Sequence, residues 1–240
     1  LKSPQKIIGE MRCLQRRYDT RAFTLVHDML TVDRKKVELF CEALLELDEK
    51  FSWSCSARTD CVTEDLLALM ARAGCEGIFF GIETGSRRLQ KVIRKNLDLE
   101  EAWANIKSAC GHGMTTAVAL ITAFPDENQD DLRATAHFFV NSLRLDNAEP
   151  QLSLLAPLAE TPIAREYWEN LVFDGSFSDM SHQGWRQDPD DLSLIRRHKD
   201  VFINFYSIPT RGLSRQYFVG MRDFLMGLDT PDKVANGLSR

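Results

Sequence analysis

The sequence predicts an α/β protein in which a parallel sheet is covered by helices, and three observations predict it. Short apolar runs of strand length alternate with amphipathic helical stretches five times along the chain. Repeated strand–helix–strand crossovers of this kind demand parallel pairing with helices on the faces. The unusual polar residues gather where the apolar runs end, the place where such sheets carry ligands. The 240 residues are 44% hydrophobic and 27% charged, which is too apolar for disorder and long enough to bury roughly 70 to 75% of the unfolded surface.

Each element has its own signal. Ser3 and Pro4 open a helix to about Tyr18, with Ile7, Ile8, Met11 and Leu14 on its apolar stripe. Ala22 to His27 has the length and β-rich composition of a strand. A helix is predicted over about Asp33 to Glu49 and a strand over about Phe51 to Ala57. Thr63 and Asp65 start a third helix that Gly74 stops. A strand follows over about Glu76 to Ile82, then helices over about Ser86 to Ile93 and Leu99 to Gly111. Thr115 to Thr122 forms the fourth strand, Asn128 to Leu143 a helix, and Gln151 to Leu155 the fifth strand, ending at Pro157. Beyond it, two helices are predicted near Leu192 to Tyr206 and Ser214 to Leu228. This tail is expected to pack on the flank of the sheet because it holds too few apolar residues for a core of its own.

Composition narrows the function classes. Thirty basic against 35 acidic residues give a net charge of -5, so no long-range attraction favours nucleic acid or an anionic membrane. No apolar stretch approaches the ~18 residues of a membrane span. The opening Leu-Lys-Ser-Pro-Gln-Lys is neither a signal peptide nor an initiator methionine, and the chain is expected to begin mid-protein. The six cysteines, at 13, 41, 55, 61, 75 and 110, lack the close spacing of a zinc ribbon or an iron–sulfur loop and read as reduced thiols in a cytosolic protein.

The strand patterns point to a polar interior. Ser52, Ser54, Ser56 and Arg58 alternate with Phe51, Trp53, Cys55 and Ala57, which sends the serines and Arg58 to one face. A wet or ligand-filled interior and a solvent-facing edge both account for that face. Phe79, Gly81 and Glu83 share a face, the glycine leaving room beside a carboxylate. A ligand contact and a structural pairing of Glu83 with Arg58 are both open. Thr84-Gly85-Ser86 reads as a tight turn whose free backbone N–H groups and hydroxyl suit a ribose or an anion, or as a plain helix cap. Phe124-Pro125-Asp126-Glu127 ends a strand in a proline-fixed segment suited to a flat ring, or is a loop.

Taken together, residues 23 to 30, Ser56 to Asp60, Ala73 to Ser86, Lys95-Asn-Leu and Leu120 to Glu127 resemble the radical SAM superfamily, in the branch often fused to a cobalamin-binding domain. The block Gly81-Ile-Glu-Thr-Gly-Ser86 with its downstream lysine carries most of the likeness, which covers about residues 1 to 160. The resemblance implies a partial (β/α)6 TIM-like barrel, strands two to six, with a helical extension over 161–240. It further implies binding of S-adenosylmethionine (SAM) across the strand ends and a [4Fe-4S] cluster held by a CxxxCxxC loop after the first strand. That loop is absent here, so the first strand, the cluster ligands and any cobalamin domain are expected upstream of Leu1, and no residue of this chain is assigned to a metal.

Position by position, the resemblance sets His27 and Asp28 near the amino group of SAM. It sets Arg58 and Lys95 at its carboxylate, and Glu83 and Ser86 at the ribose and amino group. Thr122, Ala123, Phe124 and Pro125 fall at the adenine, flanked by Leu154 to Pro157, Leu155 among them. Ala123 stands where many relatives have glycine, and its methyl group is expected to narrow the approach to the backbone. The activity implied is formation of a 5′-deoxyadenosyl radical, with cobalamin-dependent methyl transfer as one outcome. The expected partners are a small, natural-product-like substrate and an electron donor such as flavodoxin or ferredoxin, with no nucleic acid and no membrane. Two alternatives stand beside it. One is a nucleotide-binding or scaffold barrel without the cluster, the other a metal-free barrel enzyme using Glu83 and Arg58 for acid–base work.

Overall fold

A computed structural model describes residues 2–26, 30–173 and 188–228. Helix α1, Pro4–Tyr18, begins as its sequence requires, with the Ser3 hydroxyl accepting from the Lys6 N–H and proline in the first turn. It ends where Asp19 enters the left-handed region at φ 50° and its N–H reaches the Gln15 carbonyl at 2.8 Å. There follow β1, Ala22–Leu25, α2, Arg34–Leu45, β2, Ser52–Ala57, α3, Glu64–Arg72, and β3, Cys75–Glu83. Helices α4, Arg87–Val92, and α5, Leu99–Gly111, lead to β4, Thr115–Thr122, then α6, Gln129–Ser142, and β5, Ala148–Leu154. The remainder holds α7, Pro162–Glu166, α8, Pro189–Arg197, and α9, Arg215–Met226. No helix among the described residues is long and apolar enough to cross a membrane.

The five strands form one parallel sheet in the order β1-β2-β3-β4-β5, so every connection is a crossover to the next neighbour. This is the α/β architecture of a partial barrel. Trp53 in β2 is 1% exposed, meets the Phe40 ring edge-on at 5.4 Å, and donates its indole N–H to the Ala73 carbonyl at 2.9 Å. The turn between α3 and β3 needs Gly74, which sits at φ +89°, and a Cβ there would lie 2.1 Å from the Phe51 carbonyl oxygen. On the opposite face Ser54 and Ser56 lie beside Gly77 and Phe79 of β3, as period-two alternation requires.

The chain divides into two compact units. The first comprises Leu1–Ile82, Lys95–Ala119 and Val140–Pro150, the second Glu83–Arg94, Leu120–Phe139 and Gln151–Arg240. The carboxyl ends of β3, β4 and β5 thus belong to the second.

Several boundaries differ from the sequence expectation for physical reasons. Helix α2 stops at Leu45 rather than near residue 49, because Glu46, Asp48 and Glu49 oppose the negative end of the helix dipole. Strand β5 begins at Ala148 and includes Pro150, which an edge strand tolerates. The helix predicted from Leu192 to Tyr206 is α8 from Pro189, opened by the Asp188 carboxylate, followed by a separate 3-10 turn over Ile203–Phe205. Helix α7, opened by Thr161 and Pro162, was signalled by that dipeptide and not anticipated. The tail also holds a buried cluster that no sequence pattern announced. Ala164, Leu171, Ile195, Ile203, Tyr206 and Ile208 are buried together, with Trp168 and Phe202 packed around them. Residues from separate short elements supply this cluster, so no periodic stripe announces it.

Candidate functional site

In the second unit, two neighbouring strands end in the same uncommon way. Glu83 closes β3 and Ala123 follows β4, each a non-glycine residue at φ 68°. The left-handed region costs an L-residue ~1 to 2 kcal/mol, and such strain persists only where the surroundings over-determine it. At Ala123 the side-chain packing is visible. It is 2% exposed and clusters with Leu132, Leu154 and Phe218, so its methyl group lies in an apolar core. The expectation that this methyl narrows an approach to the backbone is therefore corrected.

After Ala123 the chain makes a turn closed by the Glu127 N–H to Phe124 carbonyl bond at 3.0 Å. Glu127 is 1% exposed, and its carboxylate accepts from the Thr122 hydroxyl at 2.9 Å and the Phe124 N–H at 3.1 Å. Burial pushes its pKa up to about 7, against the lowering effect of those hydrogen bonds. Asn128 then caps α6 by accepting from the N–H groups of Asp130 and Asp131, while Asp131 accepts from the Asn128 N–H at 3.0 Å. This is a reciprocal capping box.

Asp131 is the hub of the second unit. Buried at 3% exposure, it also accepts from the Ser86 hydroxyl and from the Arg88 guanidinium. Burial raises its pKa, but the bonds from Arg88, Ser86 and Asn128 outweigh burial and hold the carboxyl below its ordinary value. Ser86 caps α4 through the Leu89 N–H at 3.1 Å. The turn before it is consumed internally. The Gly85 N–H donates to the Thr135 hydroxyl at 3.2 Å, the Ser86 N–H to the Thr84 hydroxyl at 3.1 Å, and Gln90 donates to the Thr84 carbonyl. The expectation that the Gly85 and Ser86 N–H groups stand free for an anion is corrected. Gly85 is required instead by α6, since a Cβ there would lie 2.5 Å from the Ala134 carbonyl oxygen.

The first unit carries Arg58 just beyond β2. Its guanidinium grips Asp60 through two bonds at 2.9 and 2.6 Å. The segment after it is fixed by Asn105 of α5, which donates to the carbonyls of Thr59 at 2.9 Å and Val62 at 3.2 Å. The Thr59 hydroxyl is buried with no hydrogen-bond partner among the described residues, a condition that a polar ligand or ordered water would relieve. Lys95 is half-buried in a turn between Arg94 at φ 57° and Asn96 at φ 54°.

The sequence matches the radical SAM superfamily over residues 1–139. The chain belongs to the radical SAM superfamily. Among its relatives, an uncharacterized methyltransferase of Pyrococcus horikoshii is 24% identical over 185 residues, 77% of this chain and 38% of that protein. An anaerobic magnesium-protoporphyrin IX monomethyl ester cyclase of Rubrivivax gelatinosus is 26% identical over 137 residues, 56% of this chain and 25% of that one. The chain thus spans well under half the length of these relatives. The radical SAM methyltransferase TsrM from Kitasatospora setae, solved with cobalamin and a [4Fe-4S] cluster, superposes with a TM-score of 0.67 over 96% of this chain and 47% of its own, at 17% identity. The cobalamin-dependent enzyme OxsB gives 0.59 over 95% of this chain and 37% of its own, at 14% identity. At these identities the likeness is one of fold.

Within this radical SAM chain the structure joins two of the expected adenine-side residues, the Leu155 N–H donating to the Thr122 carbonyl at 2.8 Å. Phe124 and Pro125 are buried beside them. His27 and Asp28 lie outside the described residues. Asp131, Arg88, Thr135 and Arg211 were not anticipated. Only the Asn128-to-Asp131 spacing carried a sequence signal, that of a capping box. Within the first unit, the Arg58 guanidinium and the orphaned Thr59 hydroxyl are groups of the kind that a carboxylate-bearing ligand such as SAM would engage. A [4Fe-4S] cluster does not fit the described residues, where no three Cys, His, Asp or Glu side chains are arranged to hold a metal.

Proposed function

We propose that this chain is the SAM-binding part of a radical SAM enzyme. The observation that carries the reading is the pair of neighbouring strand ends, Glu83 and Ala123, held at φ 68° where parallel α/β sheets bind their ligands. Arg58 and Lys95 serve the methionine carboxylate, a charge-assisted recognition of a kind that suits a partly buried anion. His27 and Asp28 serve the amino group. Glu83 and Ser86 serve the ribose and amino group, and Thr122, Ala123, Phe124, Pro125 and Leu155 the adenine.

When bound in a whole protein that holds a [4Fe-4S] cluster elsewhere, SAM supplies a 5′-deoxyadenosyl radical. The work of this chain is to bind and orient it and to keep water out. The methyltransferase relative and the cobalamin-bound neighbour support methyl transfer with cobalamin as the outcome, and the substrate in this reading is a small, natural-product-like molecule. Flavodoxin or ferredoxin is the matching class of electron donor, and the cytoplasm the matching compartment for reduced thiols.

The test is anaerobic reconstitution of the full-length protein with iron and sulfide, followed by equilibrium SAM binding and assay for 5′-deoxyadenosine under a low-potential reductant. Binding with deoxyadenosine release is the expected result. Binding without release would favour the non-catalytic barrel, and no binding would overturn the reading.

A further inference from the structure

The turn that carries the expected adenine contacts is anchored on three sides, and one anchor comes from the C-terminal extension. From within, Glu127 holds Thr122 and Phe124. From α4, Arg88 donates to the Asp126 carbonyl at 2.6 Å. From the extension, the Arg211 N–H donates to the Pro125 carbonyl at 3.0 Å and its guanidinium pairs with the Asp126 carboxylate at 2.9 Å. The same guanidinium reaches the Tyr167 hydroxyl at 3.3 Å. The next residue approaches as closely, since a Cβ on Gly212 would lie 3.3 Å from the Glu127 carbonyl oxygen. A few residues on, Phe218 of α9 is fully buried against Ala123.

We infer that the Arg211 side chain is a positioning group of the cofactor site, holding Asp126 so that the adenine-facing backbone preceding it is set before ligand arrives. The inference rests on the reading of Ala123 to Pro125 as the adenine contact and assigns the extension a part in it. The argument is one of partition. The Arg211 side chain is 69% exposed and Asp126 44%, and an ion pair in that setting adds little to global stability. The guanidinium nevertheless ends on the Asp126 side chain, next to the Pro125 carbonyl that the Arg211 main-chain N–H holds. A contact that contributes little to folding and yet restrains a binding segment acts through preorganisation.

The experiment uses the full-length protein and its Arg211→Ala, Arg211→Lys and Asp126→Ala variants, measuring equilibrium binding of SAM and of 5′-deoxyadenosine together with thermal midpoints. Arg211→Ala is expected to weaken both ligands by about threefold to tenfold, the range one hydrogen-bonded anchor carries, with the midpoint unchanged. Arg211→Lys should recover part of the loss. Combining Arg211→Ala with Asp126→Ala should cost no more than the larger single loss, because the two remove one contact. Equal affinities of the unaltered protein and Arg211→Ala would overturn the inference, as would a loss that merely tracks a lowered midpoint. If the unaltered protein binds no SAM, the underlying reading falls instead, a result distinct from both.

Discussion

A carboxyl group with 1% exposure whose pKa is pushed up to about 7 makes Glu127 a pH-sensitive residue. The folded protein keeps a proton that the unfolded chain loses near the ordinary value of 4.5, so this group's stabilisation is complete below 4.5 and lost as pH rises through about 7. The displacement from 4.5 to about 7 corresponds to roughly 3 kcal/mol. Asp131 moves the opposite way, its contribution lost only as pH falls below the ordinary carboxylate range. Denaturant unfolding at pH 5 and pH 7.5 should therefore show the unaltered protein less stable at the higher pH, and Glu127→Gln with a much smaller difference. The amide fits the site, because the Thr122 hydroxyl can turn to accept from its NH2 while its oxygen keeps the Phe124 N–H. Parallel pH dependence in the two proteins would show that Glu127 titrates normally.

Among the elements, two glycines test what the helices require. Gly85 lets α6 approach the turn after β3, and an added Cβ would meet the Ala134 carbonyl oxygen at 2.5 Å and the Phe138 Cβ at 2.9 Å. Backbone cannot yield as a flexible side chain does, so Gly85→Ala should cost at least the ~1 to 3 kcal/mol of ordinary overpacking. Gly111 ends α5 with nothing within 4 Å of an added Cβ. There alanine removes only the conformational penalty of glycine in a helix and should stabilise by up to ~1 kcal/mol. Thermal midpoints of the two variants should move in opposite directions. Shifts of the same sign would mean that the closeness of α6 to Gly85 is not what selects glycine.

For the molecule as a whole, the decisive contrast is between two lysines four residues apart. Lys91 is exposed on the last turn of α4, while Lys95 is half-buried in a turn stiffened by two left-handed residues. In the full-length protein, Lys95→Ala should weaken SAM by the ~1.5 to 3 kcal/mol of a charge-assisted bond, one to two decades in affinity, and Lys91→Ala by ~0.5 kcal/mol or less. Equilibrium binding at fixed salt on folded protein measures both. Equal affinities would remove Lys95 from the carboxylate site and leave Arg58 alone there.

What the sequence determined by itself was the periodic part of the molecule. The alternation of strands and helices, the parallel sheet and the segregation of Ser54 and Ser56 from Trp53 and Cys55 follow from local patterns of hydrophobicity and capping, which a single chain displays without reference to its neighbours. The block from Gly81 to Ser86 identified the family for the same reason, being contiguous. Only the tertiary structure decided how the polar groups at the strand ends are used. It tied up the Gly85 and Ser86 N–H groups, turned the Ala123 methyl into a core with Phe218, buried Glu127, and brought Arg211 to Asp126 across 85 positions of sequence. Hydrogen bonds and contacts between distant residues have no period, and in a parallel sheet nearly every strand-end contact is of that kind, since each crossover separates neighbours by a helix.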